Sequence, residues 1–233
     1  MELIIKVAAA LLPAILLMVY IWYKDPVPEP TRKLIGAFFG GVAICLPVAT
    51  VELFVQQWLF GEGGMPATFT GAVLNAFCVA AIPEETAKWL ILWLLLRRNE
   101  YFDEHFDGVV YAVYVSLGFA AIENIFYLLG QDQWLSVAVA RALLAVPGHY
   151  AFGIMMGYYY SIYHFVDHSP KYAIGVLLAP IMAHGVYDSI AMSSIVNPYV
   201  GIVSFVVLIY FCIKLHKLAS ERLQYLIGKN RLN

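Results

Sequence analysis

Charge is scarce in this chain. Asp, Glu, Lys and Arg make up 13% of its 233 residues and hydrophobic residues 62%, against roughly 25% and 45–50% in a soluble domain. A soluble globule of this composition would leave much of its apolar surface in water, which excludes that class. A formal net charge of -2 does not provide the basic face that nucleic acid needs, so no nucleic-acid partner is expected. Cysteine is sparse as well. Cys45, Cys78 and Cys212 each lie inside apolar stretches, with no CxxC pair and no His-flanked spacing, and read as packing residues. An HExxH motif is absent, which removes the usual sequence signature of a zinc protease. There is no internal repeat and no low-complexity tract.

What the chain has instead is long apolar runs, at 3–23, 34–60, 69–96, 108–130, 135–165, 172–192 and 199–219. A crossing takes roughly 20 apolar residues, so these runs predict an all-α, polytopic membrane bundle of about seven transmembrane helices. Residues 1–219 form one transmembrane domain, with its polar motifs in 69–192, followed by a basic cytoplasmic tail, 220–233. The first run ends in Val-Tyr-Ile-Trp-Tyr-Lys-Asp, where signal cleavage would need small residues, and is read as a permanent span. The fifth would make roughly 45 Å of helix, longer than the hydrocarbon core, which predicts a tilt or a break near Pro147-Gly148. Lys24, Arg32 and Lys33 fall in the first connection, Arg97 and Arg98 in the third, Lys171 in the fifth, and Lys214, Lys217, Arg222, Lys229 and Arg231 at the end. The second, fourth and sixth connections hold no Lys or Arg. That alternation puts the N-terminus outside and the C-terminus in the cytoplasm. Lys6 and Arg141 break the pattern and are read as side chains that snorkel to headgroups. Gly36 with Gly40, and Gly153 with Gly157, are close-packing signals.

Ionisable residues inside spans cost roughly 2.5–3.5 kcal/mol each on insertion scales, yet four consecutive runs keep them. The third carries Pro83-Glu84-Glu85-Thr-Ala-Lys88, the fourth Glu123-Asn124, the fifth His149, and the sixth His184-Gly-Val-Tyr-Asp188. Counting from the outer ends puts them roughly 6 to 22 Å deep. Glu84 reaches Lys88 and His184 reaches Asp188 at i,i+4. Glu85 points about 100° away from Glu84, so the two carboxylates are not expected to face one partner equally. Pro83, Pro147 and Pro180 lie close before polar residues and free backbone carbonyls, which a hydrated cavity can satisfy. Each residue alone has a plainer reading: an intrahelical ion pair, a satisfied core histidine, a helix cross-link. Together they point to one site. Glu52, alone in the second run, is read as structural.

These motifs resemble those of the PrsW intramembrane proteases, within the larger group of prenyl-protein (CAAX) processing endopeptidases and bacterial Abi proteins. The resemblance rests on Glu84-Glu85-Thr-Ala-Lys88, Phe119-x-x-x-Glu123-Asn124, the isolated His149, His184-x-x-x-Asp188 and the early Tyr23-Lys-Asp25-Pro connection, and it covers most of the chain. It implies cleavage of a membrane-anchored, single-span substrate of the anti-sigma-factor type toward the extracytoplasmic side, as the first step of a signalling cascade in a bacterial inner membrane. Glu123 stands where the prenyl-protein endopeptidases carry a histidine, so that histidine's role does not transfer.

The chemistry expected is peptide hydrolysis by an activated water. Glu84 is the general base, Glu85 and Lys88 set its charge state, His149 and His184 position the water or the oxyanion, and Asp188 orients His184. Glu123 belongs to the same site, supported by Asn124. No cofactor is required by the sequence; zinc on His149, His184 and Glu123 is the alternative to a metal-free glutamate enzyme. Two other classes compete: a proton-coupled transporter, which should show inverted repeats that are absent here, and a non-catalytic membrane scaffold.

Overall fold

The computed structural model of the chain describes residues 1–197 and 200–230. Tyr199, where the last expected span begins, and Arg231 of the basic tail lie outside the described residues. Regular structure among the described residues is helical, with no strand. Six segments are long and apolar enough to cross a membrane: Glu2–Lys24, Thr31–Phe60, Asp107–Leu129, Trp134–Phe165, Pro170–Ser193 and Gly201–Lys229. The protein is a multi-pass membrane protein. The run 69–96 is also helical from end to end, but it carries Glu84, Glu85 and Lys88 and is not among those six.

The helices are α1 (Glu2–Lys24), α2 (Thr31–Phe60), α3 (Phe69–Leu74), α4 (Ile82–Leu96), α5 (Asp107–Leu129), α6 (Trp134–Ala140), α7 (Val146–Phe165), α8 (Pro170–Val196) and α9 (Gly201–Asn230). Their ends follow local chemistry. Asp25 precedes Pro26 and is extended, which stops α1. Gly61 turns out of α2 with φ 80°, a conformation glycine takes without strain. The Thr68 hydroxyl accepts the Gly71 N–H at 3.0 Å and caps α3. At the far end, α9 continues as helix through residues 220–230 of the basic segment.

Two stretches are π-helical: Asn75–Ala81 between α3 and α4, and Arg141–Ala145 between α6 and α7. Each ends just ahead of a proline, Pro83 or Pro147. A proline has no N–H for the carbonyl four residues back and its ring crowds that group, so widening the turn relieves the clash. The break expected near Pro147-Gly148 takes this form. Each widened turn immediately precedes the residues of the site, Glu84 and Glu85 in one case, His149 in the other.

The central helix is α5. Of its span 72% is buried, against at most 50% for any of the other five, and it packs on α1, α2, α4, α6 and α7. Small residues allow this. A Cβ on Gly41 would collide with the Val115 carbonyl, and one on Gly118 with that of Phe38, so α2 and α5 touch backbone to backbone. Gly153 and Gly157 also face α5, Gly157 the more closely: a Cβ there would collide with the Gly108 carbonyl. Gly36, paired with Gly40 in the sequence reading, has open space around it; Gly40 lies against Ile91 of α4, and the contact of α2 with α5 runs through Gly41. Hydrogen bonds lock the centre: Ser116 Oγ donates to the His149 carbonyl at 2.7 Å, and Asn124 Nδ2 to that of Ala10 at 3.2 Å. The second bond fastens α1 to the core.

Candidate active site

The motifs on α4, α5, α7 and α8 meet around one ammonium group. Lys88 Nζ lies 2.9 Å from Glu84 Oε2, 2.8 Å from Glu85 Oε1 and 3.1 Å from His149 Nδ1, with its charge 4.4 Å from the Phe119 ring centroid. All four polar side chains are buried. An ammonium only donates, so His149 Nδ1 accepts and its Nε2 carries the proton, which it gives to Glu123 Oε2 at 3.0 Å. Beyond Glu123 stands Arg141. It donates from Nη2 to the same Oε2 at 2.6 Å and from Nε to Asn124 Oδ1, and its guanidinium lies 4.0 Å from the Tyr127 ring centroid. On the other side His184 bridges Glu85 Oε1 at 2.9 Å and Asp188 Oδ2 at 3.2 Å, with Glu84 Oε1 4.0 Å from its Nε2. Phe152 stacks on the His184 ring at 4.8 Å.

Beside this cluster is a cavity of about 810 Å³, bordered by Glu84, Glu123, Arg141, His149, His184 and Asp188. Its opposite wall is one face of α2, with Cys45, Ala49, Glu52 and Gln56. Gln56 is engaged with the Gly64 carbonyl at 3.1 Å. The cluster therefore combines what peptide hydrolysis needs: carboxylates, imidazoles, and a cavity beside them in which a peptide bond and a water can meet.

The profile of the PrsW family intramembrane metalloproteases matches residues 29–213. This chain belongs to the PrsW family. It is 35% identical over 184 residues to "Protease PrsW" of Oceanobacillus iheyensis, covering 78% of this chain and 81% of that protein. It is 34% identical over 187 residues to "Protease PrsW" of Bacillus subtilis, covering 79% and 81%, and 34% identical over 189 residues to that of Clostridioides difficile, covering 78% and 77%. No solved structure matches the chain. Family membership makes it an intramembrane protease with a membrane-embedded protein substrate, and decides against the transporter.

A PrsW-type metalloprotease implies a metal, and the residues here fit one. Donor atoms of Glu84, Glu85 and His184 lie within 4.8 Å of one another. Lys88 holds one oxygen of each glutamate, and Glu85 Oε2 is buried without a hydrogen-bond partner. Four carboxylates (Glu84, Glu85, Glu123, Asp188) face two fixed cations (Lys88, Arg141), an excess that one divalent ion balances. Two carboxylates and one imidazole form a donor set that zinc accepts. An ion would take a lone pair of His184 in exchange for a ring proton.

This triad differs from the His149, His184 and Glu123 set expected from sequence. His149 lies between Lys88 and Glu123, and Glu123 is held by Arg141, while the donor atoms gathered within 4.8 Å are those of Glu84, Glu85 and His184. Glu84 and Glu85 also do not diverge as their 100° offset suggested. Lys88 stands at i+4 from one and i+3 from the other, and its long side chain ends between them. Two residues were missed. Arg141, read as a snorkelling side chain, is part of the site, and Glu52, read as structural, borders the cavity. The available signal for Arg141 was the short turn between α5 and α6, which places it near the level of Glu123 and Asn124.

Proposed function

We propose that the cluster hydrolyses a peptide bond of a single-span anti-sigma factor toward the extracytoplasmic side of a bacterial cell membrane, as the first cut of a signalling cascade. The observation that supports this is the arrangement of Glu84 and Glu85 around Lys88, with His149 and His184 beside it, at one internal cavity. In this reading 69–96 crosses as the third of seven spans, with the N-terminus outside and the C-terminus in the cytoplasm. The cavity then lies in the middle to outer half of the membrane, consistent with an extracytoplasmic cut.

Lys88 places a positive charge beside the Glu84 and Glu85 carboxylates, whose burial unpaired would be costly. Glu84 Oε1, free of Lys88, accepts a proton from the attacking water as its oxygen bonds to the scissile carbonyl carbon. The His184 Nε2–H, which it shares with Asp188 Oδ2, donates to the oxyanion. Collapse breaks the C–N bond, and the proton held on Glu84 passes to the leaving amine. His149 and Glu123, held by Arg141, fix Lys88 from behind. A divalent ion on Glu84, Glu85 and His184 would supply Lewis acidity to the water and the carbonyl.

The test is to co-express tagged single-span anti-sigma factors with wild type, Glu84→Gln and His184→Ala. Wild type should release a truncated product and both variants should not. Equal cleavage by all three would reject the site.

A further inference from the structure

The cavity wall opposite the catalytic cluster carries polar groups that the hydrolysis does not use. Glu52 lies on α2, eight residues before the helix ends at Phe60, which is roughly 12 Å of rise. Its neighbours Leu53 and Phe54 are exposed on the outside of the bundle, whereas Glu52 is half-buried and borders the cavity. Among the described residues its carboxylate has no hydrogen bond and no ion pair. Asn75 opens the π-helical stretch that packs on α2 and borders the same cavity. It is 5% exposed, and its side chain too has no hydrogen-bond partner among the described residues.

A carboxylate without a partner inside a membrane costs free energy, so its retention calls for a use. The cations nearby are already committed: Arg141 to Glu123 and Asn124, and Lys88 to Glu84, Glu85 and His149. Gln56, one turn further along α2, is turned to the Gly64 carbonyl. On the same face of α2 the preceding side chains are small, Cys45 and Ala49, which leaves room beside the Glu52 carboxylate. The partner is therefore one that arrives with the substrate. A neutral donor would satisfy Asn75 but leave the charge of Glu52 unopposed. A Lys or Arg side chain satisfies both, because it brings a full charge and several N–H groups, which a carboxylate and an amide carbonyl can share.

We propose that Glu52, with Asn75, forms a specificity subsite that receives a basic side chain of the substrate close to the scissile bond. Resting on the protease reading, this subsite adds the feature by which the enzyme chooses among membrane-anchored proteins. With α2 ending at the outer surface, as in the seven-span reading, Glu52 is within reach of a long basic side chain anchored at the outer end of the substrate's span. Lys and Arg gather on the cytoplasmic flanks of spans, so one at the outer end is uncommon and marks few proteins. A cavity of about 810 Å³ is roughly 12 Å across if compact, room for about three residues of extended chain at ~3.3 Å each. The basic residue then lies within about three positions of the cut.

The test uses the full chain in liposomes with a single-span anti-sigma factor, in versions carrying Lys, Gln or Glu at successive positions around the outer end of its transmembrane segment. At one or more positions wild type should cleave the Lys version with about ten-fold higher kcat/KM than the Gln version, carried by KM, which corresponds to about 1.4 kcal/mol. Glu52→Gln should erase that difference, and Glu52→Lys should reverse it in favour of the Glu version. Asn75→Ala should reduce it by a smaller factor, since it removes a neutral acceptor. Retention of the same versions on tagged Glu84→Gln protein, with and without Glu52→Gln, reads the order of binding without cleavage. No Lys preference in wild type, or one that persists in Glu52→Gln, would overturn the subsite. So would a Glu52→Gln variant that slows all versions alike, the mark of a structural or catalytic role. Cleavage that survives Glu84→Gln counts against the hydrolytic site instead, and the order of retention then decides the subsite alone.

Discussion

Lys88 is the residue on which the site depends. Buried between two carboxylates, it is worth little as a net ion pair but much as compensation, since its removal leaves two charges in a low-dielectric interior. Lys88→Met should cost about 3–5 kcal/mol, seen as a lower melting temperature in detergent; an unchanged melting curve would mean that Glu84 and Glu85 are neutral in the fold. His184 offers a second check at this scale. Elemental analysis of purified protein should find one divalent ion per chain, lost in His184→Ala and retained in a surface variant such as Lys171→Ala. What could be read from sequence at this scale was whatever repeats at i,i+4. Glu84 with Lys88, and His184 with Asp188, follow from helix geometry alone. Pairs across helices, such as Lys88 with His149 and Arg141 with Glu123, depend on packing angles and side-chain reach that no spacing encodes. Arg141 was misjudged for that reason, because an arginine near a span end has a plausible partner in the headgroups whether or not a carboxylate waits on the next helix.

At the scale of the element, the bundle depends on a few backbone contacts. Gly41 lies against the Val115 carbonyl, so Gly41→Ala must push α2 off α5 and should cost about 1–3 kcal/mol. Gly36→Ala, one turn away with nothing near it, should be neutral in the same melting assay. The connection between α1 and α2 behaves differently. Burial is the main reason that the Asp25 carboxyl is raised from 3.8 to about 6 and that of Glu29 from 4.5 to about 7. The Tyr111 hydroxyl donates to Glu29 at 2.7 Å, which opposes the rise without cancelling it. The folded chain then holds protons that the unfolded chain has released, so stability is full below the unfolded values and is lost as pH rises through about 6 and about 7. Melting temperature should fall between about pH 5 and pH 8, and less steeply in Glu29→Gln; parallel curves would refute the assignment. The elements themselves were legible, because an apolar run flanked by Pro, Gly or charge has few alternatives in a bilayer. The π-helical turns were not. Pro83 and Pro147 announce that something must give, but not whether the helix kinks, breaks or widens.

For the whole molecule, the sequence shows that a membrane bundle must form and that costly polar residues recur in four successive apolar runs, but not which helix lies at its centre. Burial and small-residue contacts give that place to α5, which joins α1 and α2 to the helices of the polar cluster. The convergence of the polar residues follows from this arrangement, since α4 and α7 both pack on α5 while α8 packs on α4 and α7. The account stands on one claim, that the carboxylates gathered on Lys88 cut a peptide bond inside the membrane. The most direct measurement is the rate of cleavage of a single-span anti-sigma factor by purified protein in liposomes, with the cut located by mass spectrometry. Glu84→Gln should slow the reaction by about 10²–10⁴-fold with the cut falling within or beside the substrate's transmembrane segment. Wild-type rates in that variant, or a cut far from the membrane, would contradict the account.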